Sequence, residues 1–364
     1  MNNEIIKISQ QLIKFKTETG NFKEISSCFD FISCLLGDTG NYKSKTIKKN
    51  SHQSMVISKN KEPDIFLVGH IDVVPALDKM YEPKVKRGRI YGRGACDMKC
   101  SIAAMLLAFR EIIKNNTAAS IGIILTSDEE VGGFSGVSHI LSLGYKSKIA
   151  IIPDGGPNFS IVEKEKGVLH LMLYAKGKSA HASRNWLGEN AIDILCDSLL
   201  SIRHLFPRDN HNNWERSINI GRIQGGDAVN TVPARAFANI DIRLTESDNA
   251  DMIINMIRAA AGDKVVVKVD INEPTTNISR EHPEVIRLQN IYQRKTGKFM
   301  GFERSHGTTD SRHFYKRGIN SLIFMPDAGG HHSNNEWVDI ESLNLYYEIL
   351  LDYIYDYHYH FNKE

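Results

Sequence analysis

The sequence predicts an α/β fold, a mostly parallel sheet covered by helices and interrupted by a smaller α+β module. Three observations predict it. The apolar runs in IFLVGHIDVV, SIGIILTS and KIAIIPD suit strands covered on both faces, as parallel strands are. Helical segments alternate with these runs, and such alternation implies right-handed parallel crossovers. After Gly167 the texture changes to strands that pair as antiparallel neighbours.

Each element follows from the local sequence. Residues 4–17 and 23–36 space their apolar side chains for amphipathic helices. IFLVGHIDVV is the first core strand. Ser101–Lys114 reads as a helix, with Ala-Ala-Met-Leu-Leu-Ala supplying strong propensity. SIGIILTS, a helix near 135–143 and KIAIIPD continue the alternation. VLHLMLYAKGKSAHAS then reads as an exposed antiparallel strand, followed by a helix at about 190–204. INIGRIQGG and ARAFANIDIRLT form an antiparallel pair with a Gly-Gly turn signal. A helix at about 248–261 and the strand KVVVKVDI complete the module. From about 274 the α/β texture resumes, with a helix near 282–296, the segment RSHGTTDSRHF, a strand NSLIFMP, the segment HHSNNE and a final helix from Ile340. Residues 1–167 and 274–364 therefore read as one discontinuous domain, with 168–273 inserted.

Composition narrows the function classes. The chain has 364 residues, 41% of them hydrophobic and 24% charged, so a sizeable core is available. A net charge of +2 gives no support for nucleic-acid binding or membrane steering. The lysine-dense stretch Lys43–Lys49 reads as a solvated face. No run approaches the roughly 18 apolar residues of a membrane span, and the first residues do not read as a signal peptide. The five cysteines are an odd number at irregular spacing, so the expectation is a reducing cytoplasm without a disulfide framework. Cys96 and Cys100 read either as a thiolate pair for zinc or as buried small side chains.

Candidate chemistry gathers at strand ends. In Gly69-His70-Ile71-Asp72, side chains two apart on a strand face the same way. His70 can ligate a metal while Asp72 accepts its other ring N–H; a satisfied polar pair fits as well. Asp97, in Gly92-Arg93-Gly94-Ala95-Cys96-Asp97, precedes a helix as an ordinary N-cap or as a carboxylate bridging two metals. Glu129 and Glu130 follow SIGIILTS directly, as acidic first-turn residues or as general base and metal ligand. Asp154 ends KIAIIPD, and His331 and His332 open the last motif. Together these give oxygen and imidazole donors at the carboxyl edge of one sheet, where open α/β sheets bind ligands. Such donors suit a catalytic metal pair better than a structural zinc site.

The order GHIDVVP, GRGACDMK, TSDEE, PD, GKSAHAS and HHSNNE resembles the family of aminoacylases, glutamate carboxypeptidase, di- and tripeptidases, acetylornithine deacetylase and succinyl-diaminopimelate desuccinylase. The resemblance spans essentially the whole chain. It implies a zinc-peptidase catalytic domain with an inserted ferredoxin-like dimerisation or lid domain. It also implies two divalent ions, zinc first, with cobalt or manganese as alternatives. In those terms His70 and Asp154 hold one ion, Glu130 and His332 the other, and Asp97 bridges both. His332 is preferred to His331 because it precedes Glu336 by the family spacing. Glu129 becomes the general base and Asp72 orients His70. A cis peptide is expected between Asp97 and Met98. His181 would stabilise the oxyanion in the partner subunit's active site, so a homodimer through residues 168–273 is implied. Asn230 and Arg243 resemble positions that bind the substrate carboxylate, and Thr308 belongs to a substrate-binding segment.

The sequence departs from the family pattern at Cys100 and His306, where glycine is usual. Asp154 and the Lys-Gly of EKEKG resemble peptidases more than the desuccinylase. The expected activity is hydrolysis of an amide in a small peptide or N-acyl amino acid, as a di- or tripeptidase or carboxypeptidase. An N-acyl amino-acid deacylase is the alternative within that chemistry, and an inactive ligand-binding relative is the alternative outside it.

Overall fold

The computed structural model describes residues 2–115, 119–207 and 213–361. It divides into two compact units: Met1–Glu163 with Asn277–Ser305 and Thr309–Glu364, and Lys164–Thr276 with His306–Thr308.

The first unit is built on a six-stranded sheet in the order Lys43–Lys49, His52–Ser58, Ile121–Thr126, Ile65–His70, Ile149–Ile152, Asn320–Ile323. The last four strands pair in parallel, and the first two add an antiparallel hairpin at one edge. The lysine-rich stretch 43–49 is thus an exposed edge strand. Lysines there suit an edge, because they discourage pairing with another chain. The strand alternation divides the apolar residues between two cores. Leu67, Ile123, Leu125 and Ile151 enter one cluster, while Phe66, Val68, Ile124 and Ile152 enter the other. Successive side chains on a strand point to opposite faces, so a continuous apolar run is what a doubly covered strand requires. The larger core is closed by Asn2–Lys14, Phe22–Leu36, Lys99–Asn115 and Ile340–Phe361. Ile102–Phe109 is buried all round, as the predicted helix over Ser101–Lys114 requires.

The second unit has strand order Ser217–Gly225, Arg235–Leu244, Gly167–Lys176, Val265–Glu273, all antiparallel. With helices Ala191–Arg203 and Ala250–Ala261 the chain runs strand–helix–strand–strand–helix–strand. In chain order the sheet reads 4-1-3-2, the split βαβ arrangement. Leu169, Leu171, Leu173, Ala236, Ala238, Ile240 and Ile242 form a core with residues of both helices. Gly167–Lys176 was expected as an exposed strand. It lies inside the sheet and is covered on one face, which its alternating burial records. Asn190 and Asn249 accept the amides of Ile192 and Met252 and so start the two helices. His306–Thr308 belongs to this unit rather than to the main domain. The Trp214 and His306 rings meet edge to face at 5.5 Å, and the Thr308 hydroxyl donates to the Lys166 carbonyl at 2.5 Å.

Candidate metal centre

The first unit brings His70, Asp97, Glu130, Asp154 and His332 together. His70 ends the strand Ile65–His70, Asp97 precedes the helix Lys99–Asn115, and Glu129 and Glu130 follow the strand Ile121–Thr126. Asp154 follows Ile149–Ile152, and His332 lies between the strands Ala328–Gly329 and Trp337–Asp339. The Asp97–Met98 peptide is cis. Asp97 divides its carboxylate between two groups. Oδ1 lies 2.9 Å from His70 Nε2, and Oδ2 lies 3.1 Å from His332 Nε2. His70 Nε2 is also 4.0 Å from Asp154, and His332 Nε2 is 3.4 Å from Glu130. Donor atoms of His70, Asp97 and Asp154 lie within 4.8 Å of one another, and so do those of Asp97, His331 and His332. His331 approaches Asp97 Oδ2 at 3.3 Å. His332 alone of the two histidines also pairs with Glu130.

The donors fit divalent cations. Two imidazoles, His70 buried and His332 exposed, converge with several carboxylates, and no thiolate is among them. Cys96 and Cys100 are buried, and burial pushes both thiols up, Cys100 to about 12. They are small buried side chains, and among the described residues neither belongs to a group of donors that could hold a metal ion. Burial pushes the Glu129 carboxyl well above the carboxylate range, with Asp310 and Asp97 adding to it against His70 and Arg312. Asp154 is raised by burial, then by Asp97 and Glu129. Burial also disfavours the Asp97 carboxylate, but His70 and His332 outweigh it and hold the group low. Bonds to Asp97 and Glu130 raise His332 to about 10. So much like charge in one buried place calls for compensating positive charge.

Asp72 meets His70 through both its carbonyl and its carboxylate. His70 Nδ1 lies 3.0 Å from the Asp72 main-chain carbonyl and 3.5 Å from its carboxylate. The carboxylate is engaged by other donors as well. It accepts the amides of Glu129 and Glu130 at 3.3 and 3.2 Å and the Thr19 hydroxyl at 3.2 Å. Sequence reasoning missed Glu336 as more than a spacing marker. Fully buried, it accepts the amides of Cys96 and Asp97 at 2.9 and 3.0 Å and Arg93 Nη1 at 2.7 Å. Arg93, between the two glycines of the second motif, is the one local signal of that pair.

The remaining predicted residues lie in the second unit. His181, exposed, meets Thr231 in a β-bridge, and the Ala182 amide donates to the Asn230 carbonyl at 2.9 Å. Arg243 is held by both carboxylate oxygens of Asp241 at 2.9 Å. Asn230 and Arg243 do not form one carboxylate site within a copy of the chain. Asn230 sits in the turn before Arg235, and Arg243 is eight residues along the strand, or about 27 Å at ~3.4 Å per residue. The Thr308 hydroxyl is occupied by Lys166.

The model of the peptidase family M20/M25/M40 matches residues 66–356. The chain belongs to that family. It is 34% identical over 228 residues to a probable carboxypeptidase of Aspergillus terreus, covering 58% of this chain and 52% of that protein. The chain thus spans about half the length of the fungal relatives it matches. A probable succinyl-diaminopimelate desuccinylase of Staphylococcus epidermidis is 25% identical over 361 residues, covering 88% of each. The fold resembles that of a tripeptidase from Staphylococcus aureus with a TM-score of 0.76 at 22% identity, covering 97% and 98% of the two chains. Among the described residues no helix is long and apolar enough to cross a membrane.

Proposed function

We propose that the protein hydrolyses the amide bond of a small peptide, as a di- or tripeptidase or carboxypeptidase, at two divalent metal ions. The observation that carries this reading is the divided Asp97 carboxylate, with His70 and Asp154 on one side and His332 and Glu130 on the other. These five residues would hold the pair, zinc first and cobalt or manganese as alternatives. When bound, such ions supply Lewis acidity toward water and the scissile carbonyl. Glu129 rides on the same turn as Glu130. Its raised carboxyl is suited to take a proton from the attacking water and return it to the leaving amine. Asp72 fixes the amides of both glutamates.

His181 supplies a donor for the oxyanion. The Ser183 amide can only donate, and it does so to His181 Nδ1 at 3.2 Å, so the neutral ring carries its proton on Nε2. The chain enters and leaves the second unit beside Arg243, where Gly167 pairs with Leu244 and Glu273 with Val168. His181 and Asn230 occupy the other end of this unit, and the resemblance to dimeric relatives motivates the reading that they serve a second copy in a homodimer.

N-acyl amino-acid deacylation is the second reading, favoured by the end-to-end likeness to the desuccinylase relative. A panel of unblocked dipeptides and tripeptides against N-acetyl and N-succinyl amino acids separates the two. Glu129→Ala should abolish turnover while metal content stays at the wild-type level. Retained turnover would overturn the assignment of the base.

A further inference from the structure

The turn that carries Glu129 and Glu130 is held from two sides, and only one of them involves the Asp72 carboxylate. Gly132 closes the turn, its amide donating to the Glu129 carbonyl at 2.7 Å, with a left-handed φ of 106°. The Gly132 carbonyl then receives two donors from the short helix Ser311–Tyr315. Arg312 Nη2 approaches at 2.7 Å and His313 Nε2 at 3.0 Å. His313 is buried, and the Phe134 ring packs edge to face against it at 5.5 Å. Gly133 follows with φ 64°, and a Cβ there would collide with Asp310 Oδ1. The Asp128 carboxylate closes the segment by accepting the amides of Ser135 and Gly136 at 2.7 and 3.0 Å.

We propose that His313 is a positioning residue: with Arg312 it grips the Gly132 carbonyl and so sets where the Glu129 and Glu130 carboxylates point. The inference rests on the reading of Glu129 as base and Glu130 as ligand. The imidazole donates from Nε2, which must carry a proton because a carbonyl can only accept. A side chain on a gripped turn keeps its reacting atom in place, whereas about 1 Å of drift costs up to ~100-fold in rate.

The test compares His313→Gln, which keeps an N–H donor, with His313→Met, of similar size and without one. In His313→Met, kcat should fall about 10- to 100-fold with KM little changed. Zinc affinity, read by chelator competition, should fall with it, because Glu130 moves on the same turn. His313→Gln should recover most of both. If His313→Met does not fold, His313→Asn, whose amide is too short to reach the carbonyl, replaces it with the same expected losses. A folded His313→Met or His313→Asn protein with wild-type kcat and wild-type zinc affinity would overturn the proposal. So would a Gln variant as impaired as the Met variant. The zinc arm separates this inference from the reading it rests on. Full activity in Glu129→Gln defeats the base assignment, while zinc affinity still reports whether His313 positions Glu130.

Discussion

Replacing Glu336 by glutamine should test the support beneath Asp97. The carboxylate is fully buried and receives donors that include the amides of Cys96 and Asp97 and the guanidinium of Arg93, which is itself 3% exposed. Glutamine keeps the shape but turns one oxygen into an NH2 group. If the oxygen stays on the two amides, the NH2 faces Arg93 and leaves a buried cation without its anion. If the side chain is reversed, two main-chain donors face a donor. Breaking one partner of a buried pair costs about 3–5 kcal/mol. Arg93 keeps a contact at 3.4 Å to the His332 carbonyl, so the lower end, about 3 kcal/mol, is expected. For a unit of this size each kcal/mol shifts Tm by about 2–4 °C, giving a fall of roughly 6–12 °C. Thermal denaturation of metal-loaded protein reads the effect, and elemental analysis reads the accompanying loss of metal, because the Asp97 amide is part of the network. A Tm within about 2 °C of wild type, with full metal content, would refute the claim that Glu336 supports Asp97.

Two further outcomes are expected. His332→Ala should lose about one metal ion per chain, since a site of three protein ligands and water tolerates no further loss, while His331→Ala should retain both. Both rings reach Asp97, but His332 alone of the two also pairs with Glu130; equal losses in elemental analysis would contradict this. His313 should make the protein acid-sensitive. Burial, helped by Arg312 against the Gly132 carbonyl, lowers it to about 3. The unfolded chain therefore binds a proton that the folded one refuses between about pH 6.5 and pH 3. The contribution is complete above pH 6.5 and is lost as pH falls below it. Denaturant titrations of wild type and His313→Gln should differ in slope over that window; parallel curves would contradict the assignment.

What the sequence by itself determined was local and periodic. Doubly covered strands read as unbroken apolar runs, so Ile65–Leu67 and Ile121–Leu125 disclosed a buried sheet before any pairing was known. Motif order offered acidic and histidine candidates, most of them where a strand ends or a helix begins, and the resemblance to the zinc peptidases narrowed them to His70, Asp97, Glu130, Asp154 and His332. Pairings distant in sequence had no such trace. The edge strand Lys43–Lys49 carried no apolar alternation, since neither face is buried. That Asp72 holds the amides of Glu129 and Glu130 depends on two neighbouring parallel strands ending side by side. That Glu336 holds the Asp97 amide depends on contacts 239 residues apart. The separation of Asn230 from Arg243 followed from strand register. Only the tertiary structure could decide such matters, because hydrogen bonds and register depend on which backbones meet in space, and a side chain's type does not state which of its partners will arrive.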